Sequence, residues 1–381
     1  MASGPLDGVR IIEFAGIGPG PFCGMLLSDL GADVVRIDRA QHVRPDAAPN
    51  REPLLRGRRS VGVDLKHPES IELVLDLVER ADAIIEGFRP GVMERLGLGP
   101  EVLLERNPKL VYGRMTGWGQ DGPWANAAGH DINYIALGGA LAHLGREGEK
   151  PTPPINLVGD FGGGALYLAM GLLAGIISAR STGVGQVVDA AMVDGTASLM
   201  TMFWGYMQMG AWSEQRGVNL LDTGAPFYDT YETADAKYVA IGPIEPQFHA
   251  EFMARTGLDQ EDLPPQMDQA GYPLWRERLT QLFKTKTRDE WDALLAGTDA
   301  CYAPVLTMRE SAQHPHLVAR GVIVEDELGI AQPAPAPRFS RTPGAIQRGA
   351  PRPGEHTDEV LGEWGVEASE VARLRADGAV A

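Results

Sequence analysis

Over its first 110 residues the chain alternates short apolar, β-branched runs with longer segments of helical spacing. Residues 9–14 (Val-Arg-Ile-Ile-Glu-Phe) predict a strand ending at a Gly/Pro turn, 21–30 a helix, and 32–38 the next strand. A strand at 60–65, a helix at 69–81 and strands at 83–86 and 110–112 continue the alternation. Strands separated by helices of about ten to fifteen residues predict a parallel, doubly wound α/β sheet, because parallel neighbours need a crossover.

From 165 to 212 the pattern is mainly helical, broken by Thr182-Gly183-Val184-Gly185 and a short strand at 186–188. The apolar run 165–179 is shorter than a membrane span and contains two glycines and a serine, so it predicts a buried core helix. Past 226 the texture changes. Residues 228–233 and 238–241 predict a hairpin around Ala234-Asp235-Ala236, followed by helices near 247–256, 274–285 and 288–296. Residues 226–325 therefore read as a smaller α+β domain. A Pro-rich stretch at 332–337 leads back to a C-terminal helix with Thr357 as its expected N-cap and Asp358 and Glu359 in its first turn.

The 381 residues are 44% hydrophobic, enough for one large domain or two ordinary ones. The net charge of −17 argues against general nucleic-acid binding, although clustered arginines can still form a local anion site. Cys23 and Cys301 are the only cysteines, which suits a reducing compartment without a disulfide framework. The start MASGPLDGVR has no basic-then-apolar pattern, so a soluble, cytoplasmic protein with no membrane partner is expected.

Gly16-Ile17-Gly18-Pro19-Gly20-Pro21 after the first strand resembles a dinucleotide fingerprint, with Asp38 about twenty residues on. Pro21 stands at the third glycine position and Pro19 removes a donor, so the turn is expected to serve strand–helix packing and not nicotinamide binding. Arg36, Arg39, Arg56, Arg58, Arg59, Arg89, Arg95 and Arg114 gather near presumed strand ends. Singly each reads as surface charge; together they suit a phosphorylated ligand. His314-Pro315-His316 lacks neighbouring ligands, and no metal site is expected.

Two motifs carry the chemistry: Gly129-His130-Asp131-Ile132-Asn133-Tyr134 and Gly159-Asp160-Phe161-Gly162-Gly163-Gly164. An imidazole and a carboxylate on opposite sides of one substrate carbon can remove a proton from one face and return one to the other, as a racemase or epimerase requires. Asp160 also suits the N-cap of the following helix, whose start would favour the ionised carboxylate and could hold an enolate oxygen. The consecutive glycines suggest room for a ligand. Glu245, between two prolines, reads either as a surface acid or as a partner orienting His130. Met200, Met202, Met207 and Met209 read first as core, with an adaptable alkyl-binding surface as the alternative.

The chain resembles the family III CoA-transferase (CaiB/BaiF) superfamily over nearly its whole length. The shared strings include Gly31-Ala32-Asp33-Val34-Val35-Arg36-Ile37-Asp38-Arg39, Phe88-Arg89-Pro90-Gly91-Val92-Met93-Glu94-Arg95-Leu96-Gly97, Gly117-Trp118-Gly119-Gln120 and Gly224-Ala225-Pro226-Phe227-Tyr228. The strings GHDINY (129–134) and IEPQF (244–248) resemble the racemase branch of that family, with Pro243 where that branch has alanine. The resemblance implies a Rossmann-like large domain of residues 1–225 completed by 326–381, the small domain 226–325, and an interlocked homodimer. It implies His130 and Asp160 as acid/base residues with Glu245 assisting. Arg39, Gly62, Val63, Asp64, Leu65, Ala128, Gly129, Asp131, Ile132 and Asn133 match substrate-binding positions, and Arg89 and Arg95 meet the CoA phosphates. The expected substrate is a 2-methyl-branched acyl-CoA, with no cofactor, since CoA belongs to the substrate. The rival readings are a CoA-transferase with Asp160 as nucleophile and a non-catalytic acyl-CoA-binding protein.

Overall fold

A computed structural model describes residues 4–44 and 46–381. Six strands, β1 (Arg10–Phe14), β2 (Asp33–Arg39), β3 (Arg59–Val63), β4 (Ala83–Glu86), β5 (Val111–Thr116) and β6 (Gln186–Ala191), form one sheet in the order β3-β2-β1-β4-β5-β6. All neighbours are parallel, with Ile11 beside both Val34 and Ala83. This is the doubly wound order, and it agrees with the expected mixed α/β class.

Alternation along the central strands divides the core. Ile12, Phe14, Val35, Ile37, Val61 and Ile84 point to one face, where α2 (Pro68–Val78) and the helices Thr357–Glu363 and Ala368–Ala376 cover them with Leu73, Leu77, Val360, Trp364 and Leu374. Ile11, Val34, Ala83 and Ile85 point to the other face, against α1 (Pro19–Asp29) and α6 (Leu166–Thr182), which supply Leu27, Leu168, Leu172 and Ile176. Strands buried on both faces are mainly apolar, and charges they do bury, such as Glu13 and Arg36, are paired with each other.

The described residues fall into two compact units. The first takes the chain up to Gly138, Ile155–Leu199 and Ala319–Ala381; the second takes Gly139–Pro154 and Met200–Val318. Residues 139–154 and 200–225, read from sequence as part of the large domain, thus group with the second unit. That unit holds an antiparallel sheet of β7 (Asp229–Glu232), β8 (Tyr238–Ile241) and β9 (Tyr302–Pro304). Its core is formed by Tyr231, Val239, Phe252, Trp275, Phe283 and Trp291. Asp229, nearly buried, accepts from Arg146 and Arg276, which ties residues 139–154 to this sheet.

Two local expectations need correction. Thr357 is the first residue of its helix, not the cap, which is His356. The Thr357 hydroxyl instead accepts from the Gly62 N–H and donates to the Ala381 carbonyl, pinning the chain end to β3. The segment 165–179 is also not a wholly buried helix. It belongs to a continuous 26-residue helical stretch, Leu157–Thr182, long and apolar enough by length and composition to cross a membrane. One face packs on the sheet, while Leu166, Met170 (60% exposed) and Ile177 (71% exposed) lie on the open face.

The first nine residues of that stretch, Leu157–Ala165, are π-helical. They run against α7 (Met192–Leu199) at backbone distance: a Cβ on Gly195 would stand 1.8 Å from the Gly163 carbonyl oxygen. Gly195→Ala gains about 1 kcal/mol of helix propensity but forces this backbone contact apart, at about 1–3 kcal/mol or more. The clash wins, so a lowered urea midpoint is expected for Gly195→Ala, and an unchanged or raised midpoint would contradict the contact.

Candidate active site

In sheets of this order the ligand crevice lies beyond the carboxyl ends of the strands where their order reverses, here between β1 and β4. A cleft of about 1060 Å³ occupies that place and is lined by the first unit alone. Gly16, Gly18 and Gly20 after β1 form one wall, Gly87, Phe88 and Arg89 after β4 a second, and Trp118, His130, Tyr134, Asn156 and Asp160 a third. The Gly16–Pro21 turn is therefore a cleft wall and not just a packing device. Its Gly18 has φ +68° and lies so close to Asp160 that a Cβ there would be 3.4 Å from Oδ2.

His130 is the N-cap of α5 (Asp131–Leu137), and its backbone N–H donates to Asn133 Oδ1 at 3.0 Å. His130 is exposed and lines the cleft. Asp160 sits in the π-helical turn, whose cap is Asn156, so the N-cap expectation for Asp160 does not hold. Asn156 Nδ2 donates to Asp160 Oδ2 at 3.1 Å, and the Asp160 backbone N–H donates to Asp131 Oδ1 at 2.7 Å.

Burial pushes the Asp160 carboxyl above its ordinary range. The Asn156 hydrogen bond pulls it down, the Asp131 charge pushes it further up, and His130 pulls it down. Desolvation is the largest of these influences, and it is opposite in sign to the helix-start effect expected from the sequence. A raised pKa brings a carboxyl closer to the range in which proton transfer to and from it is efficient.

The glycines serve contacts within the protein. Cβ atoms on Gly117 and Gly129 would strike the Tyr134 ring at 2.1 and 2.7 Å, and one on Gly163 would lie 2.8 Å from the Thr196 backbone nitrogen. Close packing of Tyr134 and α7, and not room for a ligand, is what these positions require. Tyr134 donates to the Gly129 carbonyl and stacks edge-on against Trp118 at 4.7 Å, which fixes the loop preceding His130.

Most of the arginine cluster is committed internally. Glu13, fully buried, joins Arg36 and Arg58; Arg56 pairs with Asp29, Arg59 with Asp33, Glu359 and Glu363, and Arg114 with Glu86 and Glu94. Arg39 and Arg89 line the cleft and make no ion pair among the described residues. Arg95 is exposed but outside the cleft wall. The Glu86 carboxylate accepts from the Phe88 N–H at 2.8 Å, which shapes the loop presenting Arg89.

Ala128, Gly129 and Asn133 line the cleft. Gly62, Val63, Asp64, Leu65 and Ile132 do not. The backbone from Gly62 to Asp64 pairs with residues 379–381, and Val43 packs over Gly62. Asp131 is only 5% exposed and lies beneath Asp160 instead of facing the cleft. Glu245 belongs to the second unit, at the N-cap of α9 (Pro246–Thr256). Gln266 holds its loop through the Pro243 and Ile244 carbonyls. Burial, and then the Glu245 charge, raises the Cys301 thiol beside it. Sequence reading missed Asn156, whose signal was an Asn and an Asp four apart at a helix start, and the structural part of Tyr134.

A doubly wound sheet with a histidine–carboxylate pair at its switch point defines the class. The chain belongs to CoA-transferase family III, which matches residues 6–357. It is 46% identical over 373 residues to alpha-methylacyl-CoA racemase of Mus musculus, covering 98% of this chain and 96% of that protein. The Homo sapiens protein of the same name is 43% identical with the same coverage. Among solved structures, a CaiB/BaiF family protein from Brucella suis has a TM-score of 0.82 at 26% identity, covering 95% of this chain and 100% of that one.

The raised Asp160 carboxyl has a consequence for stability. A folded pKa above the unfolded value means the acid's contribution is fully present below the unfolded pKa and is lost as pH rises through the folded one. Asp160→Asn is thus expected to melt higher than the unsubstituted protein near neutral pH, with the gap closing near pH of about 4. Melting curves at both pH values check this, and a gap independent of pH counts against it.

Proposed function

We propose that this protein interconverts the (2R) and (2S) forms of 2-methyl-branched acyl-CoA thioesters by proton transfer at C2. The observation that carries the reading is one cleft wall holding both His130 and Asp160, whose carboxyl is pushed above its ordinary range by burial. The full-length relatives at 43–46% identity bear the racemase name and not a transferase one. The thioester carbonyl acidifies the C2 hydrogen, so the reading needs no metal, flavin or pyridoxal.

In one direction neutral His130 takes the C2 proton and the C–H electron pair moves into the thioester as an enolate. Asp160, as the neutral acid, delivers its proton to the opposite face of C2. The enzyme is left with imidazolium and carboxylate, the state that runs the reverse reaction. Each proton transfer contributes about 10²- to 10⁴-fold. Arg39 and Arg89, without internal counter-charges, suit the phosphates of CoA, because guanidinium pairs with phosphate oxygens two at a time.

Incubating one enantiomer in deuterated water is expected to give inversion with deuterium at C2. Inversion without deuterium sinks the mechanism. His130→Ala and Asp160→Asn are each expected to lower kcat by about 10²-fold or more. A thioester on Asp160 trapped by hydroxylamine, with ping-pong kinetics toward a carboxylate acceptor, supports the transferase instead.

The assembly belongs to the same reading. Leu157, Leu166, Met170 and Ile177 leave an apolar face along Leu157–Thr182 that a second copy would cover in a homodimer. Sedimentation is expected to give twice the 41.0 kDa chain mass, and Met170→Glu with Ile177→Glu is expected to shift it to the monomer. A monomer without substitution contradicts the dimer.

A further inference from the structure

Asp131 has no part in the proton relay, yet it is a buried acid hydrogen-bonded to the backbone of Asp160. Its Oδ1 accepts the Asp160 backbone N–H at 2.7 Å, and its Oδ2 is buried with no hydrogen-bond partner among the described residues. No arginine or lysine pairs with it among those residues. Gly159 makes the approach possible: a Cβ there would lie 2.6 Å from Asp131 Oδ1. Asp131 is also the first residue of α5, directly after the N-cap His130. One carboxylate therefore ties the backbone of one proposed base to the helix turn that carries the other.

A buried carboxylate with one oxygen unsatisfied costs stability of about 1–3 kcal/mol. A neutral acceptor could make the same backbone hydrogen bond, so the charge itself calls for a reason. We propose that Asp131 is a positioning residue for the racemase site, holding Asp160 at a set spacing from His130 and opposing the ionisation of Asp160 through its like charge. The proposal rests on the racemase reading given above. The upward push of Asp131 on the Asp160 carboxyl is in accord with it.

Among the described residues, Asp131 is the one anion whose charge acts on Asp160. From α5, His130, Asp131 and Tyr134 interact with it. Other charged or titratable groups on the packed elements are engaged elsewhere. Cys23 of α1 faces Glu13 and Arg58, and Asp29 pairs with Arg56. Tyr167 and Arg180 of α6 bond Ser198 and Asp82. Arg114 of β5 pairs with Glu86 and Glu94, Asp189 of β6 accepts from Gln120, and Asp194 of α7 acts on Asp189.

The test uses the full-length protein with Asp131→Asn and Asp131→Ala, following inversion of each enantiomer across pH. Asp131→Asn keeps an oxygen acceptor for the Asp160 N–H and removes the charge. In the direction where Asp160 removes the proton, activity falls as pH drops through its pKa. With the opposing charge gone, this acid limb is expected at lower pH, while kcat at the optimum stays within about threefold of the unsubstituted value. Asp131→Ala removes the acceptor as well and is expected to lower kcat by about tenfold or more with KM within about twofold, since misplacement acts on the transition state.

An acid limb in Asp131→Asn that coincides with the unsubstituted one overturns the proposal. So does Asp131→Ala with unchanged kcat. If Asp131→Ala does not fold by circular dichroism, the limb position in Asp131→Asn decides alone. Absence of C2 exchange in the unsubstituted protein defeats the racemase reading; exchange there with no effect at Asp131 defeats only this inference.

Discussion

Backbone-distance packing of the Leu157–Ala165 turn is the contact on which the site depends. Gly163 meets α7 without room for a side chain, Gly159 admits the Asp131 carboxylate, and Asp160 between them is carried to the cleft wall. A π-helical turn widens the helix locally and redirects its side chains, and such turns recur at functional sites. Here the widened turn offers the Asp160 N–H to a neighbouring helix and leaves its carboxyl half-buried beside Asn156. Glycine at 159, 163 and 195 is the condition for all of this: a Cβ at 163 or 195 would strike backbone of the facing turn, and one at 159 would strike the Asp131 carboxylate and Ile135.

Charge is distributed around the sheet ends with the same economy. Glu13 holds two guanidinium groups in the interior, and Asp29 holds a third. Losing one partner of such a pair strands the other, which costs about 3–5 kcal/mol. These arginines are therefore part of the scaffold, Arg36 from a place on the cleft wall. Arg39 and Arg89, by contrast, line the cleft with no ion-pair partner among the described residues, a difference that position in the sequence does not reveal.

Much was legible beforehand. The parallel sheet, the small antiparallel sheet and most helices followed from periodicity, since period-2 and period-3.6 patterns report burial of one face or two directly. His130 and Asp160 were legible as candidates because proton carriers beside glycines are chemically conspicuous. The reasons assigned to those glycines were wrong: they admit Tyr134, Asp131 and α7, and partners distant in sequence leave no local signature. The Asp160 N-cap failed for a related reason. A cap assignment assumes an α-helix start, and the π-helical turn moved the cap to Asn156. The exposed face of Leu157–Thr182 was also hidden, because a helix apolar all round does not say which side the sheet will take.

The sequence by itself determined the sheet class, the candidate proton carriers and the family, because these rest on local pattern and on residue identity at short spacing. Tertiary structure decided which arginines are neutralised, that Asp131 lies under Asp160 instead of facing the cleft, and that the carboxyl is pushed toward its protonated form. Those outcomes depend on burial and on pairs separated by tens of residues, and desolvation exists only once the chain has closed around the group.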